Sequence, residues 1–335
     1  MRKHILDDIV KFHFQWIDEE LAFDEMPVGK RILPAAIKFV REAVTDANID
    51  TEEWKPDDTS DLVRQPWFRI FYSYAEQWYE ERYGVRLRRT DVSHFRSAVL
   101  VAGTPFAFRV PLTCCTPKVE GESATLSWPD KVKRDENLLE WIIDAPDFQT
   151  YSPETIDSVT KDCFCIANRV REIFCRLTGA ELTDHRTRAV LAGVKIHLQS
   201  AATLILREDE DGRLPRVQWE LQMACESAFK GLLQQRTGTF REIHDLFELL
   251  KDAEPFVGKV ASEWLCELPR WYEAANLRYG LGDEVPTLIE ILHWYEISLK
   301  IIAGVLTGLK GLELKKVSIT FAMPPWLRDY ENPKE

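Results

Sequence analysis

The chain has 335 residues, of which 45% are hydrophobic and 11% aromatic, with a formal net charge of -12. Eleven tryptophans and this apolar content exclude a disordered protein. The acidic balance excludes a protein that coats nucleic acid nonspecifically, because that needs clustered Lys and Arg.

The length allows two domains, or one large domain with an inset. The seven cysteines (Cys114, Cys115, Cys163, Cys165, Cys175, Cys225, Cys266) follow no zinc-ligand spacing. They read as reduced, mostly buried thiols of a cytoplasmic protein. The opening MRKHILDDIVKFHFQW is interrupted by Asp7, Asp8 and Lys11, so it reads as an amphipathic helix and not a signal peptide. No apolar run reaches the roughly 18 residues that span a bilayer, so no membrane is expected.

In chain order, apolar residues recur at helical spacing at Ile5, Ile9, Phe12, Trp16 and Leu21, predicting a first helix over 5–23. A second is expected over 35–47. A third, over 67–83, carries an aromatic stripe read as core-facing, although such a stripe also suits base stacking. Arg82, Arg86, Arg88, Arg89 and Arg96 form the strongest local basic group and read as a solvated helix end and loop. From Ser97 the pattern shortens to strands over 97–102, 106–112 and 125–128, punctuated by Gly103, Pro105 and Pro111, which predicts a small antiparallel sheet. Pro111 marks an edge or an end. The tail 316–322 is strand-like and is expected to join that sheet.

Helical pattern returns over 136–143. Ser152-Pro153 then opens a long helix ending at Gly179, with Ser as N-cap and Pro in the first turn. Thr183 is expected to cap the next helix, which reaches Leu204. The run 207–215 is a solvated loop and not a calcium site. Beyond it, four helices are expected: 217–235; one opened by Thr239 and Glu242 as a capping box; 256–276 with a break at Pro269; and one opened by Thr287 and Glu290 and running to about Leu306. Short connections between amphipathic helices predict an up-and-down bundle. The fold class is therefore mainly α, with a C-terminal antiparallel four-helix bundle and a small antiparallel β inset in the N-terminal part. The expected regions are 1–150, mixed; 151–210, connecting helices; 211–310, the bundle; and 311–335, a tail.

Candidate chemistry concentrates at Glu226–Leu250. Glu226 and Lys230 share a helix face, either as a surface ion pair or as part of a site. Arg241 and His244 are three apart, with Asp245 next to His244. His244 reads either as a structural histidine or as a catalytic one. No Walker or dinucleotide glycine loop and no His-Glu-x-x-His pair is present, so neither a cofactor nor a metal is expected.

This stretch resembles the HEPN superfamily of four-helix bundles. Such domains carry a helix with Glu and Lys before a Leu-Leu pair, here Glu226, Lys230, Leu232 and Leu233. A turn and a His-Asp-Leu follow, here His244, Asp245 and Leu246. Tyr272, Glu273, Ala274, Arg278 and Tyr279 are similar to a later motif, and the likeness covers 217–306. Some HEPN domains are metal-independent ribonucleases of defence and toxin–antitoxin systems. In these, histidine serves as acid or base and arginine steadies the phosphate, with roughly four to six residues between the two.

Here Arg241 precedes His244 with two residues between, and Arg236 with seven. Arg88 and Arg89 precede His94 at the formal spacing, outside the bundle. The His-Asp-Leu version is closer to non-catalytic members that bind RNA or nucleotides, or pair with a protein partner or a second copy. The resemblance implies a binding protein of a defence or toxin–antitoxin type, with Glu226, Lys230, Arg236, Asp245 and Tyr272 as binding residues. The alternative is a ribonuclease using Arg241 and His244 across a homodimer.

Overall fold

The computed structural model describes residues 4–49, 52–54, 62–65, 67–84, 94–119, 123–182, 184–207, 213–257, 262–278 and 285–322. The elements in chain order are α1 (His4–Phe23), α2 (Val28–Ala43), β1 (Val44–Ile49), β2 (Glu52–Trp54), α3 (Phe68–Tyr83), β3 (His94–Val101), β4 (Thr104–Pro111), β5 (Cys114–Val119) and β6 (Ser123–Ser127). They continue with α4 (Pro153–Gly179), α5 (His185–Leu206), α6 (Arg213–Thr237), α7 (Leu246–Ala253), α8 (Ser262–Glu267), α9 (Trp271–Arg278), α10 (Leu288–Leu306) and β7 (Ser318–Ala322). The chain is mainly helical, with small antiparallel sheets.

Two compact units interleave along the chain. One comprises Met1–His94, Pro111–Pro129 and Glu313–Glu335; the other comprises Phe95–Val110 and Asp130–Leu312. In the first unit α1, α2 and α3 share an aromatic core. Phe14 stacks on Phe39 at 5.0 Å, and Phe39 lies 5.6 Å from Phe71. Phe68, Phe71, Trp78 and Tyr79 are buried, so the aromatic face of α3 is core. The buried face of α1 runs through Ile9, Phe14, Ile17 and Leu21, which leaves Phe12 and Trp16 partly exposed on the far side. Asp18, itself buried, accepts from Arg31 Nη1 at 3.0 Å and from the Tyr83 hydroxyl, tying α1 to α2 and α3.

The first unit also holds a five-stranded sheet in the order β2-β1-β7-β6-β5. The tail strand β7 pairs with β6, as expected, and also with β1. Residues 44–47, expected at the end of a helix, form β1 instead: Val44 and Thr45 are β-branched, and β7 offers an edge to pair with. The second helix itself starts earlier than expected and passes through Pro34. Strands β3 and β4, expected in the same sheet as β6 and the tail strand, form a separate hairpin instead. Its two-residue turn, Ala102-Gly103, has φ of 49° and 87°, the left-handed geometry of a tight hairpin.

In the second unit four long helices pack side by side in the order α4, α10, α6, α5. Helix α5 runs antiparallel to α6. His197 meets Glu220, Gly193 faces Ser227, and Leu191 fills the space above Gly231. Helices α4, α6 and α10 all point the same way, and their C-terminal ends converge. Gln235 Nε2, near the end of α6, donates to Glu181 O at 2.7 Å and Lys310 O at 2.9 Å, just past the ends of α4 and α10. Leu312 N–H donates to Gly179 O at 2.8 Å.

The expected up-and-down bundle over 211–310 is corrected by this arrangement. Its first and last long helices run parallel, and the helices of 151–210 belong to the same layer. The middle of the segment is three short helices, α7, α8 and α9, with the expected break at Pro269. The 136–143 segment forms only one short 3-10 turn, Leu138–Trp141.

Ser152 and Thr287 cap α4 and α10 as their sequences predict, and Glu290 closes the capping box. Thr183 lies outside the described residues, and Asp184 is the observed N-cap of α5. Helix α5 is also the one described helix long and apolar enough to cross a membrane, contrary to the expectation that none reaches that length; here it packs along α6. Cys163, Cys175 and Cys225 are buried and Cys266 is exposed. Burial pushes the thiols of Cys163 and Cys225 up to about 12, which makes them poor nucleophiles.

Candidate functional site

Helix α6 carries a line of polar residues at intervals of four: Gln218, Gln222, Glu226, Lys230 and Gln234. This spacing keeps neighbours on one face over about 24 Å of helix. All five are buried. Buried polar groups need partners, since each unpaired one costs about 1–3 kcal/mol. The partners of the line's C-terminal part come largely from the non-helical segment 238–245 that follows α6.

Gly238, with φ of 79°, turns the chain out of α6. Gln234 Nε2 donates to Gly238 O at 3.0 Å. Phe240 lies under two cations, Arg186 at 4.4 Å and Lys230 at 5.4 Å. Glu242 accepts from Arg186 Nη2 at 2.9 Å and stands 3.8 Å from Lys230 Nζ. Gln222 Nε2 donates to His244 O at 2.8 Å.

At the centre Glu226 divides its carboxylate. Oε1 accepts from Lys230 Nζ at 2.8 Å, and Oε2 lies 2.9 Å from His244 Nδ1. A carboxylate cannot donate, so His244 carries its hydrogen on Nδ1, and Nε2 is the ring nitrogen left for a ligand. The side chain of Glu226 is 9% exposed and that of His244 50% exposed. The imidazole therefore stands at the mouth of the site on a buried anchor. Trp271 lies 6.0 Å from the imidazole, with the rings tilted by 39°, and Tyr272 meets Trp271 edge-on at 6.1 Å. Both aromatics are partly exposed.

No protein-family model, curated protein or solved structure matches this chain.

Of the residues picked out by sequence, Glu226, Lys230 and His244 form one cluster, and Tyr272 joins it through Trp271. The others stand elsewhere. Arg241 Nε donates to Asp252 at 2.6 Å, and Nη2 donates to Glu248 O at 3.0 Å. These partners, Asp252 first, hold the Arg241 pKa above its ordinary value. Arg236 donates to Gly308 O at 3.0 Å and lies over Phe256, so it closes the end of α10. Asp245 is the N-cap of α7, accepting from Phe247 N at 2.9 Å and Glu248 N at 3.2 Å.

Arg86, Arg88, Arg89 and Tyr279 lie outside the described residues. Among the described residues no group of three or more His, Cys, Asp or Glu is arranged to hold a metal. Sequence reasoning missed Gln218, Gln222 and Trp271. The first two were signalled by their regular spacing with Glu226 on a helix otherwise rich in apolar residues, and Trp271 by its place beside Tyr272.

Proposed function

We propose that this chain is a binding protein of the HEPN-like type, in a defence or toxin–antitoxin setting, and that the surface around His244 takes RNA or a nucleotide. One observation carries the reading: a half-exposed imidazole, set by the buried Glu226 carboxylate, stands beside the exposed Trp271 and Tyr272. Aromatic faces stack bases of any sequence, and an imidazole supplies the hydrogen bond. The acidic chain favours a single strand or a free nucleotide held by stacking over a duplex held by charge.

The nuclease alternative has less support. Arg241 is engaged by Asp252 and Glu248, and Arg236 by Gly308, so both guanidiniums already have partners. Pairing of two copies belongs to the same HEPN reading.

The test is fluorescence anisotropy of a labelled single-stranded RNA, with the wild type, Trp271→Ala and His244→Ala. Stacking is worth about 1–3 kcal/mol per base, so Trp271→Ala should weaken binding about tenfold. Equal affinity for all three proteins would remove the reading. The same RNA in EDTA should stay intact; cleavage abolished by His244→Ala would replace binding with catalysis.

A further inference from the structure

We infer that the Glu242 carboxylate keeps the place of a ligand phosphate, and that Arg186 and Lys230 receive the terminal phosphate of a nucleotide when Glu242 swings out. This rests on the nucleotide reading above and gives the ligand's charged end its own partners. Two cations, from α5 and α6, meet over one ring and one carboxylate. Arg186 lies 4.4 Å and Lys230 5.4 Å from the Phe240 ring centre. Arg186 Nη2 donates to Glu242 Oε1 at 2.9 Å, and Lys230 Nζ stands 3.8 Å from Glu242 Oε2. The two ends of this second contact are unlike: the Lys230 side chain is 9% exposed and that of Glu242 73%. An ammonium this buried needs close anions, and Glu226 supplies one at 2.8 Å. Glu242 supplies a distant and solvated one, and exposed pairs of that kind stabilise little. Its carboxylate is therefore easily exchanged.

The backbone around Glu242 is held without that side chain. Gln234 bonds Gly238 O, Gln222 bonds His244 O, and the His244 ring is fixed on Glu226. Glu242 can leave by rotating alone. The guanidinium fork fits a phosphate as it fits a carboxylate. A phosphate monoester also brings more charge to the same two cations, about -1.5 to -2 at pH 7. Lys230 and His244 occupy the two oxygens of Glu226, so the phosphate place and the imidazole are neighbours across one carboxylate. Trp271 lies 6.0 Å from that imidazole. The ligand is thereby ordered, with its phosphate on Arg186 and Lys230 and its base toward Trp271.

The experiment is isothermal titration of the full chain with adenosine monophosphate, adenosine and inorganic phosphate. The monophosphate should bind about tenfold tighter than adenosine, the value of hydrogen bonds to a charged group. Arg186→Gln should remove that advantage. Glu242→Gln frees both cations at unchanged side-chain size and should tighten the monophosphate about threefold, the size of an exposed ion pair, with adenosine unaffected. A carboxylate that only braced the fold would give no such gain. Both side chains are more than half exposed, so far-UV circular dichroism should match the wild type. The ligand comparison on the wild type stands even if a variant misfolds. The inference is overturned if the monophosphate binds no better than adenosine, if Glu242→Gln fails to tighten it, or if Arg186→Gln binds it as the wild type does. Inorganic phosphate binding as tightly as the monophosphate would overturn the nucleotide assignment. RNA binding that depends on Trp271, with no advantage for the monophosphate, would remove this inference and leave the broader reading. Monophosphate binding that depends on Arg186 and Glu242, with RNA affinity indifferent to Trp271 and His244, would do the reverse.

Discussion

The helical unit contains two buried polar assemblies that solve the same problem in opposite ways. On α4, Arg171 is fully enclosed. Its guanidinium grips Glu136 with Nη1 at 2.6 Å and Nη2 at 2.7 Å, donates to Lys131 O at 3.0 Å, and lies 4.9 Å from the Trp141 ring centre. These partners all come from the segment just before α4, so the knot fastens that segment to the helix. On α6, Glu226 is almost as buried, but its chain of contacts ends in a half-exposed imidazole, and two turns away Gln218 has no partner. A closed assembly spends its polar atoms on the fold. An open one keeps some for a visitor, and that difference separates a structural ion pair from a candidate site.

The comparison breaks most directly at Arg171. Arg171→Ala leaves Glu136 without its bidentate partner in a mostly enclosed place, and breaking such a pair costs about 3–5 kcal/mol. Urea denaturation should show that loss. Gln218→Met should cost little, because it replaces an unsatisfied amide with apolar surface. RNA affinity should be unchanged in Arg171→Ala under conditions where it is folded. A loss below about 1 kcal/mol would mean that the knot is not a fastening and would dissolve the contrast.

His13 sharpens the contrast from the other unit. It is buried, its Nδ1–H is donated to Ile9 O at 3.1 Å, and Nε2 has no partner. Its unpaired Nε2 is a cost to the fold. Burial lowers its pKa from 6.5 to about 4, with the bond to Ile9 opposing in part. The unfolded chain therefore takes up the proton first as pH falls. The stability linked to neutral His13 is present above pH 6.5 and lost as pH falls through about 4, a change of about 3 kcal/mol between pH 7 and pH 4. Urea midpoints across that range should fall steeply for the wild type and less steeply for His13→Phe. Parallel slopes would show that His13 is not the group that senses acid.

Identical local patterns show how far the sequence could be read. Thr287 with Glu290 and Thr239 with Glu242 are the same capping signal, three residues apart, before an apolar run. The first forms its box. The second does not, because the Glu242 carboxylate is drawn to Arg186 and Lys230, and His244 is held back by Glu226 and Gln222. Helix caps with no competitor, such as Ser152, were legible. Strand β1 was not, since its partner β7 lies more than 270 residues away and propensity alone gave a helix. The meeting of His244 with Glu226 was legible only as two residues close across a short turn, since His244 stands in the non-helical segment before α7 and not on the expected helix. The departure of Arg241 and Asp245 from that meeting was not, because Asp252 and the free amides of α7 claim them.

The smallest expected effect is the most discriminating for Asp245. Its carboxylate accepts from two backbone amides at the start of α7, which is the role of an N-cap. Asp245→Ala should cost about 1 kcal/mol, and Asp245→Asn almost nothing, because asparagine caps as well as aspartate. RNA affinity then separates the two assignments of this residue. If Asp245 only caps, Asp245→Asn should bind like the wild type, and Asp245→Ala should lose affinity only as far as His244 shifts with the loosened turn. If Asp245 touches the ligand, Asp245→Asn should change affinity at unchanged stability. Thermal melting and anisotropy on the two variants together decide it, since a cap can be restored by a neutral amide and a charged contact cannot.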